Sequence, residues 1–239
     1  MTALISLEWD SKYFGFPCGR LVFSVDGIET AGEKMLEEIK KYMFITAVCP
    51  EGNYVAREWL GKQTMAYLAD VNLQMEKRLC EIPASACSAI SYINTEKNGL
   101  LELAGAAFQH SRFLQDSNIS KGKAAGVYQS WVKNALSSPK KQVAVYQDSE
   151  GLQGFVVFSQ ELTSVRIELI AVSPRSRGKG IGRCLLDEVD RYAWENGLRL
   201  VRVGTQIENK RAIHFYFTHG FILENVQYIY HWWQDKKEV

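Results

Sequence analysis

Residues 165–182 read VRIELIAVSPRSRGKGIG. A β-branched run, a proline turn, a loop rich in glycine and cations, and the opening of a helix follow one another without a spacer. The first N–H groups of a helix lack intrahelical partners and its dipole favours negative charge, so such a loop suits an anion, above all a phosphate. Gly178, Gly180 and Gly182 let the backbone approach that anion closely. An ordinary βα turn is the competing reading of the same residues.

Downstream, residues 180–196 place Ile181, Leu185, Leu186, Val189 and Ala193 on one helical face, ended by Gly197. Residues 200–205 predict a strand, 209–219 a helix closed by Gly220, and 221–233 a closing hairpin or strand pair with exposed alternation in Tyr228–Trp233. Upstream, 143–146 and 154–159 pair across 147–151, whose Asp and Gly residues suit a hairpin turn. Before them come a strand at 89–93 and helices at 98–108 and 124–136. The aperiodic, proline-bearing segment at 82–88 marks a domain boundary, giving a small α/β domain over 1–84 and a larger domain over 85–239. In the first domain, strands are expected at 19–25, 44–48 and 65–79, helices at 29–42 and at 54–60 with Gly61 as C-cap, and a tight aromatic loop around Gly15.

The chain has 239 residues, 46% of them apolar, enough for a sizeable core. With 28 basic against 27 acidic residues there is no bulk field for nucleic acid or an anionic membrane, so a basic function must be local, as at Arg175–Arg183. The opening MTALISLEWD lacks the pattern of a signal peptide and no stretch is long enough in apolar residues to span a bilayer, so a cytoplasmic location is expected. Five scattered cysteines lack metal-ligand spacing and read as reduced packing residues; four histidines without an HExxH pattern make no case for a metal.

The order of elements, the loop Arg175-Ser176-Arg177-Gly178-Lys179-Gly180, and the block Asn209…Ala212…Phe215-Tyr216…Gly220-Phe221 together resemble the GNAT superfamily of acetyl-CoA-dependent N-acetyltransferases. The loop matches the family's pyrophosphate pattern, Q/R-x-x-G-x-G/A. The resemblance implies an α/β (α+β) fold with a mixed, mostly antiparallel, splayed sheet flanked by helices, preceded here by an incomplete GNAT-like unit. Trp9…Tyr13-Phe14-Gly15, His110-Ser111-Arg112-Phe113…Asp116, Tyr128…Trp131 and Thr205-Gln206…Asn209 also look like the branch that N-acetylates dTDP-linked 4-amino-4,6-dideoxysugars.

That resemblance distributes roles. Acetyl-CoA would be held by the strand edge Leu169, Ile170, Ala171 and Val172, by the loop and helix start Arg177, Gly178, Lys179, Gly180, Ile181, Gly182 and Arg183, and by Asn209. The Ile170 N–H would face the thioester carbonyl, and Tyr216 would act as general acid, since a phenol of pKa about 10 can protonate a leaving thiolate whose conjugate acid lies near about 8.5. Glu168 is the first base candidate and His110 the second; a salt bridge and a helix-end hydrogen bond are their structural alternatives, and a neutral amine needs neither. Arg112, His110, Tyr128 and Trp131 are candidates for binding a nucleotide-sugar, with core packing the alternative for the aromatic pair. The closing aromatic run is read as a candidate homodimer surface. Acetylation of another amine and non-catalytic acyl-CoA sensing remain open.

Overall fold

The computed structural model describes residues 2–24, 33–83 and 87–234. In chain order the elements are β1 (Ala3–Ser6), α1 (Glu8–Phe14), β2 (Cys18–Val22), α2 (Glu33–Ile39), β3 (Phe44–Pro50), α3 (Tyr54–Gln63), β4 (Tyr67–Arg78), β5 (Ile90–Tyr92), α4 (Leu100–Ala107), α5 (Arg112–Gln115), α6 (Lys121–Leu136), β6 (Lys141–Asp148), β7 (Gly151–Gln160), β8 (Val165–Val172), α7 (Ile181–Glu195), β9 (Leu200–Gln206), α8 (Lys210–Thr218) and β10 (Ile222–Trp233). The fold is mixed α+β. It comprises two compact units, residues 1–73 with 225–239 and residues 74–224. These part within β4 and β10, whereas the linker read from sequence lies at 84/85, in a stretch of which 84–86 fall outside the described residues.

In the first unit β1 runs antiparallel to β2, β2 parallel to β3, and β3 antiparallel to β10 from Gln227↔Pro50 to Trp233↔Phe44. Leu21, Ile45, Ala47, Cys49, Trp59, Leu60 and Trp232 form its core. Two expectations are corrected here. Residues 8–14 are a helix, not a tight loop: Trp9 and Tyr13 stack one turn apart at 5.1 Å, and Gly15 ends the helix at φ +86°, donating its N–H to Ser11 O. α3 passes through Gly61 to Gln63 because the Thr64 hydroxyl, not a glycine, meets the last-turn carbonyl of Leu60 at 2.6 Å. The helix expected at 29–42 is seen as Glu33–Ile39; 29–32 and Val25 lie outside the described residues.

The closing aromatic run is also corrected: it is one strand, and Ile229, His231 and Trp232 are buried. Phe44 stacks on Trp233 at 4.5 Å and meets His231 edge-on at 4.8 Å. The run therefore supplies core to the first unit rather than an exposed surface.

In the second unit the strand order is β4-β9-β8-β7-β6-β5. β5 to β8 pair antiparallel in sequence and β8 pairs parallel with β9. Phe155, Val156, Val157 and Phe158 of β7 are all buried, which requires cover on both faces because neighbouring residues point to opposite sides. α7 covers one face through Ile181, Leu185 and Tyr192, while α4 and α6 pack together against β6, β7 and β8. Lys77 of β4 ties to the buried Asp190 of α7 at 2.5 Å. The five cysteines are free, and burial pushes the Cys18 and Cys49 thiols up to about 12. Among the described residues no helix is long and apolar enough to cross a membrane, and no group of three or more potential metal ligands occurs.

Candidate active site

The site is built around β8, which its two neighbours hold unequally. The antiparallel register with β7 runs from Gln160↔Val165 to Gly154↔Val172, whereas the parallel register with β9 covers only Val165↔Val201, Arg166↔Arg202 and Ile167↔Val203. Past Ile167 the two strands diverge, leaving the β9-facing backbone of residues 168–172 outside that ladder. The β7 register also shifts between Val157 and Phe158 and passes over Glu168, a bulge that bends β8. Backbone N–H and C=O groups need partners, so this divergence presents an edge on which an amide-bearing chain can form strand-like hydrogen bonds. By pairing, Ile170 and Val172 share the face of Val156 and Gly154, while Leu169 and Ala171 are buried on the other.

Beyond Val172 a single 3₁₀ turn, Pro174–Ser176, leads to the glycines. Gly178 and Gly180 have φ of +79° and +80°, a region that disfavours side chains, and a methyl group built on either would meet nothing within 4 Å. The backbone there is open to a ligand. Gly180 is the N-cap of α7, with its carbonyl accepting the Cys184 N–H at 3.0 Å, and no side chain caps the helix. The first N–H groups of α7 are thereby without a side-chain cap, the condition under which a helix start favours an anion. Arg175, Arg177 and Lys179 are exposed and make no ion pair among the described residues; Arg183 reaches Asp187 at 3.6 Å. Ile181 is buried and anchors the first turn.

α8 meets this corner. A methyl group on Gly182 would lie 3.1 Å from the Phe215 ring and 3.8 Å from Val172 Cγ2, so the end of β8, the start of α7 and α8 converge at Gly182. Asn209 caps α8, its side-chain oxygen accepting the Ala212 N–H at 3.2 Å, which leaves its Nδ2 group to donate elsewhere. Tyr216, next to Phe215, is 4% exposed, and burial alone pushes its phenol well above the ordinary value.

The remaining candidates are placed differently. Glu168 is exposed at the bulge and ion-paired with Lys141. His110 is exposed in the turn after α4. The Arg112 guanidinium lies 4.4 Å over the Phe113 ring, Tyr128 stacks on Phe108 at 4.4 Å, and Trp131 meets Tyr128 and Phe113 edge-on. These aromatic side chains make the contacts among α4, α5 and α6. The sequence pointed to no role for Gln153 or Gly154, and Ser176 and Phe215 stood in it only as members of longer motifs. Only Gly154 carried a local signal, a glycine inside an apolar strand, which marks close backbone approach.

A sheet that parts beside a glycine-led helix start is the geometry that the GNAT resemblance implies. Residues 108–221 match the acetyltransferase (GNAT) family. It is 30% identical over 142 residues to the spore coat polysaccharide biosynthesis protein SpsD of Bacillus subtilis, covering 59% of this chain and 49% of that one. It is 28% identical over 147 residues to a dTDP-fucosamine acetyltransferase of Escherichia coli, covering 60% and 62% respectively. The chain thus spans about half to three-fifths of the length of these curated relatives. A GCN5-related N-acetyltransferase from Sphaerobacter thermophilus superposes with a TM-score of 0.61 at 14% identity, over 96% of this chain and 76% of that one. A functionally unknown conserved protein from Staphylococcus epidermidis gives 0.64 at 13% identity, over 92% and 85%. These two likenesses establish the fold.

Proposed function

We propose that the protein transfers an acetyl group from acetyl-CoA to the amine of a nucleotide-linked amino sugar of the dTDP-4-amino-4,6-dideoxyhexose type, in polysaccharide synthesis. The observation that carries the transfer is the divergence of β8 and β9 past Ile167↔Val203 beside an uncapped, glycine-led helix start. Those residues fit acetyl-CoA: the open edge suits its amide-bearing arm, and the α7 N-terminus with Arg177, Lys179 and Arg183 suits its diphosphate. When bound, acetyl-CoA supplies an activated acetyl thioester.

In this reading Leu169–Val172 align the arm, and the Ile170 N–H donates to the carbonyl oxygen as negative charge grows there. Asn209 Nδ2 donates to the arm while Oδ1 keeps α8 capped. The amine nitrogen bonds to the acetyl carbon as the C–S bond breaks; Tyr216, kept protonated by burial, gives its proton to the leaving sulfur, and the proton shed by the nitrogen restores the phenol, directly or through a base. Glu168 serves as base only after release from Lys141, so the alternative of an amine that arrives neutral gains weight. Residues 85–239 are read as the catalytic domain and 1–84 as an incomplete GNAT-like unit. The sugar acceptor is supported by the names of two relatives, one a dTDP-fucosamine acetyltransferase and one a polysaccharide biosynthesis protein. Arg112, His110, Tyr128 and Trp131 are assigned to the acceptor, the last two also packing on Phe108, Phe113 and each other.

The test is incubation with acetyl-CoA and dTDP-4-amino-4,6-dideoxyhexose while free thiol is followed. Thiol release dependent on the sugar is expected. Release with peptide amines but not with the sugar moves the acceptor to a protein N-terminus, and binding without release to any amine marks an acyl-CoA sensor.

A further inference from the structure

We infer that Gln153 of β7 is a positioning residue that clamps the loop after β8 in its phosphate-binding shape, an inference that rests on the acetyl-CoA reading above. Gln153 is outside the loop and outside every motif used to recognise the domain, yet it holds the loop at two points. Its backbone carbonyl accepts the Ser173 N–H at 2.8 Å, and its Oε1 accepts the Ser176 hydroxyl at 2.5 Å. Ser173 and Ser176 are themselves the two ends of the 3₁₀ turn, closed by Ser176 N–H to Ser173 O at 2.9 Å. The amide of Gln153 cannot swap ends without loss, because its Nε2 donates to Asp148 Oδ1 at 3.2 Å, an oxygen that also accepts the Glu150 N–H at 2.9 Å. Gln153 and Ser176 are 6% and 1% exposed, so water does not replace a bond that is lost.

The consequence falls on the residues immediately following. From Arg177 to Gly180 the chain is exposed, and Gly178 and Gly180 leave it free to adopt many conformations. Multidentate recognition of a diphosphate by backbone N–H groups requires one conformation, and ordering it at the moment of binding costs affinity. The Gln153–Ser176 bond fixes the residue before that stretch, as the buried Ile181 fixes the one after it. The neighbouring Gly154 completes the arrangement, since it lets Ile181 and Leu185 close onto β7.

The experiment uses the whole chain and three readouts: coenzyme A binding by calorimetry, the KM and kcat for acetyl-CoA, and amide hydrogen exchange over residues 173–183 without ligand. Gln153→Met and the milder Ser176→Ala are each expected to raise the coenzyme A Kd and the acetyl-CoA KM by about tenfold, as for one or two buried hydrogen bonds left unmade. Exchange over 173–183 should speed up in both, kcat at saturating acetyl-CoA should stay within about twofold, and the double variant should be no worse than Gln153→Met alone. Unchanged exchange and affinity in Ser176→Ala, with the native chain binding coenzyme A, overturns the clamp. Failure of the native chain itself to bind coenzyme A overturns the proposed function, and the assigned ligand of the loop with it.

Discussion

A phenol that donates a proton must hold it until the sulfur leaves, and in the proposed transfer that phenol is Tyr216. Burial disfavours its phenolate, so the protonated form persists through and beyond the pH at which an ordinary tyrosine ionises. Tyr216→Phe is expected to lower kcat by ~10²–10⁴-fold with the coenzyme A Kd unchanged. Because the pKa is raised, the acid is fully present on the neutral side, and the native pH–rate profile should show no descending limb from this group below about pH 10. A limb there that disappears in Tyr216→Phe would show the phenol ionising at or below its ordinary range, against the effect of burial, and an unchanged kcat in Tyr216→Phe would remove the acid role itself. The identity of Tyr216 was legible in the spacing Asn209…Phe215-Tyr216…Gly220, and its burial was not. Glu168 shows the same limit: the sequence offered it as a base candidate, but the bulge that sets it apart and the Lys141 ammonium that holds it arise from β7 and β6.

At the level of elements, the distance between α7 and the sheet decides where the helix start sits. A methyl group on Gly154 would come within 2.9 Å of Ala171 O, 3.1 Å of Leu185 Cδ1 and 3.2 Å of Ile181 Cγ2, and the first of these is backbone of β8 itself. Gly154→Ala should therefore destabilise the protein by ~1–3 kcal/mol, measured by urea unfolding, as overpacking does where the neighbour cannot yield. A loss below about 0.5 kcal/mol would mean that β8 moves aside freely. The β8, α7 and α8 segments were legible because each carries its own period and its own cap. Residues 8–14 were not, since two aromatic residues around a glycine fit a tight loop or a short helix ended by that glycine equally well locally. The single strand β10 was mistaken for a hairpin because an amphipathic run of that length does not show where its partner lies.

For the molecule as a whole, the division into units is the main departure from sequence order. β3 pairs with the second half of β10, so the end of the chain completes the unit in which it begins. A fragment of residues 85–239 would lack β3 and β4, stripping partners from β10 and β9 and exposing Ile229 and Trp232. It should aggregate more than the whole chain under the same conditions, judged by size-exclusion chromatography; a monodisperse fragment would show that residues 85–239 fold alone. The sequence by itself determined the helices and strands around 165–220, the glycine-led helix start and the place of Asn209 and Tyr216 at the start and within α8, all properties of period and spacing over about twenty residues. Only the tertiary structure decided where β8 leaves β9, which polar side chains are buried, and what holds the loop. Those depend on pairs brought together from afar, Gln153 with Ser176 across 23 positions and Lys77 with Asp190 across 113, and no local pattern encodes the partner of a hydrogen bond that the fold has yet to make.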